Sequence, residues 1–237
     1  MLTNNEIKVI NSLQRKKERQ KHQLFIVEGV KLVEELLLSD FEVEVIYSTT
    51  SIDVDNVEVR IISPTELSKI SQFTTPNQVL ALVKIPQISS PDNKKTGIIL
   101  EDINDPGNLG TIIRTADWFG IEQIICSNNS VDCYNPKVVN ATMGSIFRTK
   151  VYYTDVISYV SAAQIPSYGA LLKGESLNKI KFPRNCNLVF GSESHGLSAE
   201  LIEQIDIKTT ILGSGNSESL NLSIATSIFC NQYFNSQ

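Results

Sequence analysis

The chain has 237 residues, 41% of them hydrophobic and 20% charged, with a formal net charge of −5; this is the composition of a globular protein with one large or two small cores. No apolar run is long enough to cross a bilayer, and the N-terminus lacks the basic-then-apolar layout of a secretory signal, so a cytoplasmic location is expected. Cys126, Cys133, Cys186 and Cys230 show no CxxC spacing, which suits reduced thiols and predicts neither a disulfide framework nor a metal site.

Residues 6–19 read as a helix, with Ile7, Ile10 and Leu13 at helical spacing. The net acidity hides a local excess here. "KVINSLQRKKERQKHQ" carries Lys8, Arg15, Lys16, Lys17, Arg19 and Lys21 against the single acid Glu18. Such a stripe can bind nucleic-acid phosphates even on an acidic protein, and a solvated helix face accounts for it equally well. "LFIVEG" reads as a strand, "VKLVEELLLSD" as a helix, and "VEVIYS" and "VEVRII" as strands. In "SPTELSKISQ", Ser63 as N-cap, Pro64 at the first helical position and Glu66 completing a capping box predict a helix start. "VLALVK" closes this set as a strand, so residues 1–84 are expected to form a small α/β domain. "IPQISSPDNKKTG" then reads as a linker, placed at 85–96.

From residue 97 to 237 short apolar strands alternate with helices. The strands are "GIILED", "EQIICS", "FRTKVYY", "YGALLK", "NLVFG" and "IKTTIL". The helices are "NLGTIIRTADWFG", "NPKVVNATMGS", "DVISYVSAAQ", "SAELIEQI" and a last one from about Leu220 to Tyr233. This alternation predicts an α/β fold with a mainly parallel sheet covered by helices on both faces. Ligands of such sheets bind beyond the carboxyl ends of the strands.

Three stretches join a strand end to small polar residues and a following helix. In "LEDINDPGNLGTIIRTADWFG", Pro106 and Gly107 make a turn, Asn108 reads as a helix N-cap, and Arg114 lies one and two-thirds turns further on. Neither GxxxxGK[ST] nor GxGxxG is present. In "LVFGSESHGLSAE", Gly191 permits close backbone approach, Glu193 follows, and Ser198 is a cap for the next helix. His195 alone in this loop is read as incidental. In "ILGSGNSESLNLSIA", Ser219 and Asn221 stand at the start of the last helix, where a cap accounts for one of them but not for both.

Read in order, these stretches resemble the three motifs of the SpoU (TrmH) family of RNA ribose 2′-O-methyltransferases, within the SPOUT superfamily. The resemblance covers residues 97–237, and "VINSLQRKKERQKHQLFIVEGVKLVEELL" resembles the small α/β RNA-binding domain that many members carry. It implies a trefoil-knotted C-terminal domain, S-adenosylmethionine as cofactor, RNA as substrate and a homodimer. By motif position, Gly191, Ile211 and Leu220 would contact the cofactor, largely through backbone groups. Asn108, Arg114, Glu193, Ser219 and Asn221 match the catalytic and substrate-positioning positions. The basic segment, with Arg15, Lys16, Lys17 and Arg19, would dock RNA. Two departures stand out: Ile211-Leu212-Gly213 replaces the usual Ile-Pro-Met, and Ser194 stands where glycine is common. The implied reaction is methyl transfer to a ribose 2′-hydroxyl, of ribosomal RNA ahead of transfer RNA. A non-catalytic RNA-binding module and a Rossmann-type enzyme are the alternatives.

Overall fold

A computed structural model describes all residues 1–237. In chain order the elements begin with α1 (Asn4–Ser12), α2 (Lys16–His22), β1 (Leu24–Glu28), α3 (Val30–Leu37), β2 (Val43–Ser48), β3 (Val59–Ile61), α4 (Pro64–Leu67) and β4 (Val79–Lys84). They continue with β5 (Gly97–Leu100), α5 (Pro106–Trp118), β6 (Gln123–Ser127), α6 (Pro136–Thr142), β7 (Lys150–Thr154), α7 (Val156–Ala162), β8 (Ser167–Ser176), β9 (Asn187–Phe190), α8 (Ala199–Glu203), β10 (Ile207–Thr210) and α9 (Leu222–Phe234). They fall into two compact units, one of Met1–Gln87 with Asp132–Phe147, the other of Ile88–Val131 with Arg148–Gln237.

The first unit holds a four-stranded sheet in the order β1-β4-β2-β3, antiparallel except for the parallel β2–β3 pair. Ile10 and Leu13 pack with Ile26, Val45, Leu67 and Leu80 in its core. The predicted capping box at Ser63 and Glu66 is present, as is a second one at Thr3 and Glu6 that starts α1. The 132–147 segment, expected in the C-terminal domain, belongs to this unit instead. Its anchors are aromatic: Tyr134 stacks at 4.6 Å from Phe25 and Phe147 at 5.2 Å from Phe41.

The helix expected over 6–19 is two helices broken at residues 13–15. Arg19 explains the break and is itself a correction. Far from facing RNA, it is 1% exposed. One guanidinium nitrogen donates to the carbonyls of Leu13 and Gln14, at 2.8 Å each, taking up acceptors that the end of α1 leaves open. The other nitrogens reach Asp132 at 2.8 and 2.6 Å. Arg19 thus fastens the 132–147 segment to the N-terminal helices. Removing one partner of a buried pair strands the other charge. Arg19→Ala is therefore expected to destabilise this unit by about 3 kcal/mol, read as a lower midpoint in urea unfolding. An unchanged midpoint would show that the pair carries no stability.

The second unit is a six-stranded, all-parallel sheet in the order β10-β8-β9-β5-β6-β7. Its inner strands β5, β6 and β9 are buried along their whole length because helices cover both faces. On one face Val156, Val160, Leu201 and Ile205 of the α7–α8 region pack against Ile99, Ile125 and Val189. On the other, α5 and α9 lie side by side, joined by a Thr115–Ser227 hydroxyl contact of 3.2 Å, and Phe229 meets Phe190 of β9 with ring centres 5.2 Å apart. The predicted linker is only partly one. Gln123 donates to the carbonyls of Asp92 and Lys95 at 2.8 and 3.0 Å, which ties the stretch after Gln87 to the second unit. All four cysteines are free and buried, and burial pushes the thiols of Cys126, Cys186 and Cys230 up to about 12, so they remain protonated and unreactive at neutral pH.

Candidate active site

The carboxyl ends of β5, β9 and β10 each run into one of the three polar loops. After β5 the chain turns through Asp102, held at φ 54°, and enters α5. The N-cap of α5 is Asp105, whose side chain accepts from the Asn108 backbone N–H at 2.8 Å; Asn108, expected as the cap, is inside the first turn and buried. Its side chain is thereby released for a long-range role.

After β9 a tight hairpin forms, with Ser192 and Gly196 exchanging backbone hydrogen bonds of 3.0 Å each. Only glycine fits at 191, because a Cβ there would lie 2.0 Å from the Gly196 carbonyl carbon. Glu193 sits in the hairpin tip. Ser198 caps α8 as predicted, and both its N–H (2.8 Å) and its hydroxyl (2.6 Å) donate to Glu101.

After β10 the chain runs without regular structure to Asn221, the N-cap of α9. The Asn221 side-chain oxygen accepts from the Ser223 N–H at 2.9 Å and from its hydroxyl at 2.7 Å.

These loops converge on one hydrogen-bonded chain. Asn108 Nδ2 donates to Glu193 Oε1 at 2.8 Å, and Asn221 Nδ2 donates to Asn108 Oδ1 at 3.0 Å. Residues 85 and 113 positions apart thus share one buried amide. Every polar atom of the Asn108 side chain that faces these partners is used, while Glu193 Oε2 makes no hydrogen bond and is open to a ligand. Glu193 is exposed apart from this contact.

Two predicted residues stand outside the chain. Ser219 is exposed and makes no side-chain hydrogen bond, so of the pair at the start of α9 only Asn221 acts as a cap and only Asn221 reaches the site. Arg114 is exposed, six residues along α5 and about 120° around it from Asn108. It makes no hydrogen bond or ion pair, and so is not oriented by Asn108 or Glu193 within one chain.

The residues expected to contact the cofactor differ in exposure. Gly191 is buried and Ile211 half-buried, whereas Leu212 is 68% and Leu220 48% exposed. Residues 212–220 make no backbone–backbone hydrogen bond. A loop with unspent backbone donors and acceptors beside exposed apolar side chains suits an adenosine group bound mostly through main-chain contacts.

Comparison with known proteins agrees with this architecture. Residues 95–231 match the SpoU rRNA Methylase family, and residues 4–81 match the MRM3-like substrate binding domain. The chain is 32% identical, over 95% of its length and 94% of the relative's, to the 23S rRNA (guanosine(2553)-2′-O)-methyltransferase RlmP of Bacillus subtilis. A TrmH-family protein from Porphyromonas gingivalis superposes with a TM-score of 0.90 at 35% identity, covering 98% of each chain. An AdoMet-bound rRNA methyltransferase from Sinorhizobium meliloti superposes with a TM-score of 0.88 at 29% identity, covering 98% of this chain and 95% of its own. These likenesses define an RNA-methylating enzyme that carries its own substrate-binding domain. The chain belongs to the SpoU rRNA methylase family.

Proposed function

We infer that this protein transfers a methyl group from S-adenosylmethionine to a ribose 2′-hydroxyl of ribosomal RNA. The observation that carries this reading is the Asn108–Glu193–Asn221 chain at the strand ends, beside a loop suited to adenosine. When bound, S-adenosylmethionine supplies an electrophilic methyl on a positive sulfur. The protein's own part is to position the hydroxyl and accommodate its charge. Glu193 Oε2 accepts a hydrogen bond from the ribose, with Asn108 fixing the carboxylate's orientation. Holding the hydroxyl in line with the bound donor would supply much of the rate. Arg114 clamps the neighbouring phosphate and stabilises the oxyanion as it develops; the hydroxyl proton would be released to solvent as the bond from oxygen to methyl forms and the bond from sulfur to methyl breaks, leaving a neutral thioether.

The 23S rRNA activity of the Bacillus relative supports ribosomal over transfer RNA. Mapping 2′-O-methyl groups in total RNA with and without the gene is expected to reveal one ribosomal position that depends on it. Loss of a transfer-RNA methyl group instead would move the substrate, and no loss at all would end the reading. A cytoplasmic location and the trefoil knot belong to the same proposal.

A homodimer is part of it too. Trp118 on α5 is 83% exposed, and Ile224 and Phe234 on the adjoining α9 are 52% and 58% exposed. Arg114 lies one turn before Trp118 on that face, so pairing two chains there carries the guanidinium into the seam. A monomer's mass in sedimentation would remove this element.

Arg15, Lys16 and Lys17 are exposed and serve as the phosphate-docking surface, without Arg19. Reversing all three charges is expected to weaken RNA binding, most at low salt. The slope of log K against log salt should fall by about 2 to 3. An unchanged slope would place docking elsewhere.

A further inference from the structure

The turn after β5 and the hairpin after β9 bound a half-open cleft of about 380 Å³, lined in part by Asp102, Asn104, Ser194, His195 and Leu197. That is within the size range of small-ligand clefts. None of these residues belongs to the chain of bonds already described, but Glu193 lies between Ser192 and Ser194 in the same hairpin.

The cleft is pre-organised. Asp102 Oδ1 accepts from the Ser127 hydroxyl at 2.7 Å, and the same hydroxyl oxygen accepts from the Asp102 N–H at 2.8 Å. Ser130 supports this pair, 3.0 Å from Ser127 and accepting from the Ile103 N–H at 3.2 Å. Asn104 Nδ2 closes the turn onto the Asp102 carbonyl at 2.9 Å, leaving its own Oδ1 open. Both oxygens of neighbouring Glu101 are taken by Ser198. Asp102 Oδ2 therefore remains as the open carboxylate oxygen on this wall. On the opposite wall His195 is fixed through Nδ1 to the Ser194 hydroxyl at 2.7 Å.

We propose that this cleft receives the base of the nucleotide being methylated and that Asp102 makes it selective for guanine; the inference rests on the ribose-methylation reading of the adjoining site. The charged group this wall leaves open, Asp102 Oδ2, is an acceptor. Guanine alone presents two adjacent donors, N1–H and the N2 amine, which one carboxylate accepts together; a carboxylate has lone pairs enough to keep Ser127 as well. Adenine and cytosine would turn a ring-nitrogen acceptor toward Asp102, and uracil flanks its one N–H with carbonyl oxygens. The His195 ring is placed to stack on the base, as in the reading of unstacked RNA nucleotides by aromatic side chains.

The test uses the full chain, labelled S-adenosylmethionine and ribosomal RNA from cells lacking the gene, with the product digested to nucleosides. Label in 2′-O-methylguanosine is expected. Label in another 2′-O-methylnucleoside overturns the guanine assignment and leaves ribose methylation standing. Label in a base-methylated nucleoside, or in none, overturns both. A synthetic RNA spanning the labelled site, with inosine at the target, then removes only the N2 amine. Its kcat/KM is expected to fall about 10-fold with the native protein. Asp102→Asn keeps an oxygen for Ser127 and tolerates the left-handed backbone. In it the guanosine–inosine difference should vanish while cofactor affinity holds. An equal loss on both RNAs, with the difference intact, gives Asp102 a structural role only and overturns the proposal.

Discussion

Arg114→Ala is expected to lower the rate of methyl transfer by about 100- to 1,000-fold while leaving S-adenosylmethionine affinity and the unfolding midpoint unchanged. The separation of effects follows from the side chain's surroundings. Arg114 is exposed on α5 and makes no hydrogen bond or ion pair, so truncation takes nothing from the fold. The apolar anchoring of α5 comes from Leu109, Ile112, Ile113 and Ala116, all fully buried. An exposed guanidinium without a protein partner adds little to the fold and keeps all its donors for a ligand phosphate. Arg114→Lys keeps the charge but not the planar two-pronged donor, so it should recover only part of the activity. Single-turnover rates at saturating cofactor, with calorimetric binding of the cofactor alone, read both quantities. Near-native turnover in the alanine variant would remove Arg114 from the mechanism.

The contrast between Arg114 and Arg19 shows what a sequence of this kind discloses. Both are arginines in helical segments rich in polar neighbours, and both were expected to meet RNA. Only Arg114 faces solvent. Arg19 is buried because Asp132, 113 positions away, returns to the N-terminal unit. No local pattern announces that return, since the 132–147 segment has the same strand-and-helix rhythm as its surroundings. Local devices were legible where they are self-contained: the Ser63–Glu66 box and the Ser198 cap rest on neighbours within a few residues, and each apolar strand shows in its own run of residues although its partners lie far along the chain. Asn108 lies between these cases. Its position next to a Pro-Gly turn suggested a cap, but Asp105 takes that place three residues earlier. The motif order, not any propensity, brought Asn108 together with Glu193 and Asn221. Ser219 carried the same motif signal as Asn221 yet stays in solvent, because only the residue directly preceding α9 can both cap the helix and face Asn108.

Asn108 is where the second large effect is expected. Its amide is the only connection between Glu193 and Asn221 in the site, donating to one and accepting from the other. Asn108→Ala removes the one partner that Glu193 Oε1 and Asn221 Nδ2 share, and because Glu193 and Asn221 are themselves exposed, water can take its place. The expected losses are about 1 kcal/mol of stability and about 100-fold in rate. Asn108→Asp preserves the shape but sets a second carboxylate against Glu193. Two such groups share a proton at a raised apparent pKa. The Asp variant should therefore be weakest at neutral and alkaline pH and regain activity, relative to the native enzyme, as pH falls and one carboxyl becomes a donor again. Asn221 provides the control. Asn221→Ser retains an N-cap for α9 but is too short to reach Asn108. If Asn221 acts through Asn108, the rate losses of Asn108→Ala and Asn221→Ser will not add in the double variant. Fully additive losses would mean that the two residues serve the reaction separately, and the hydrogen-bonded chain would then be a feature of packing alone.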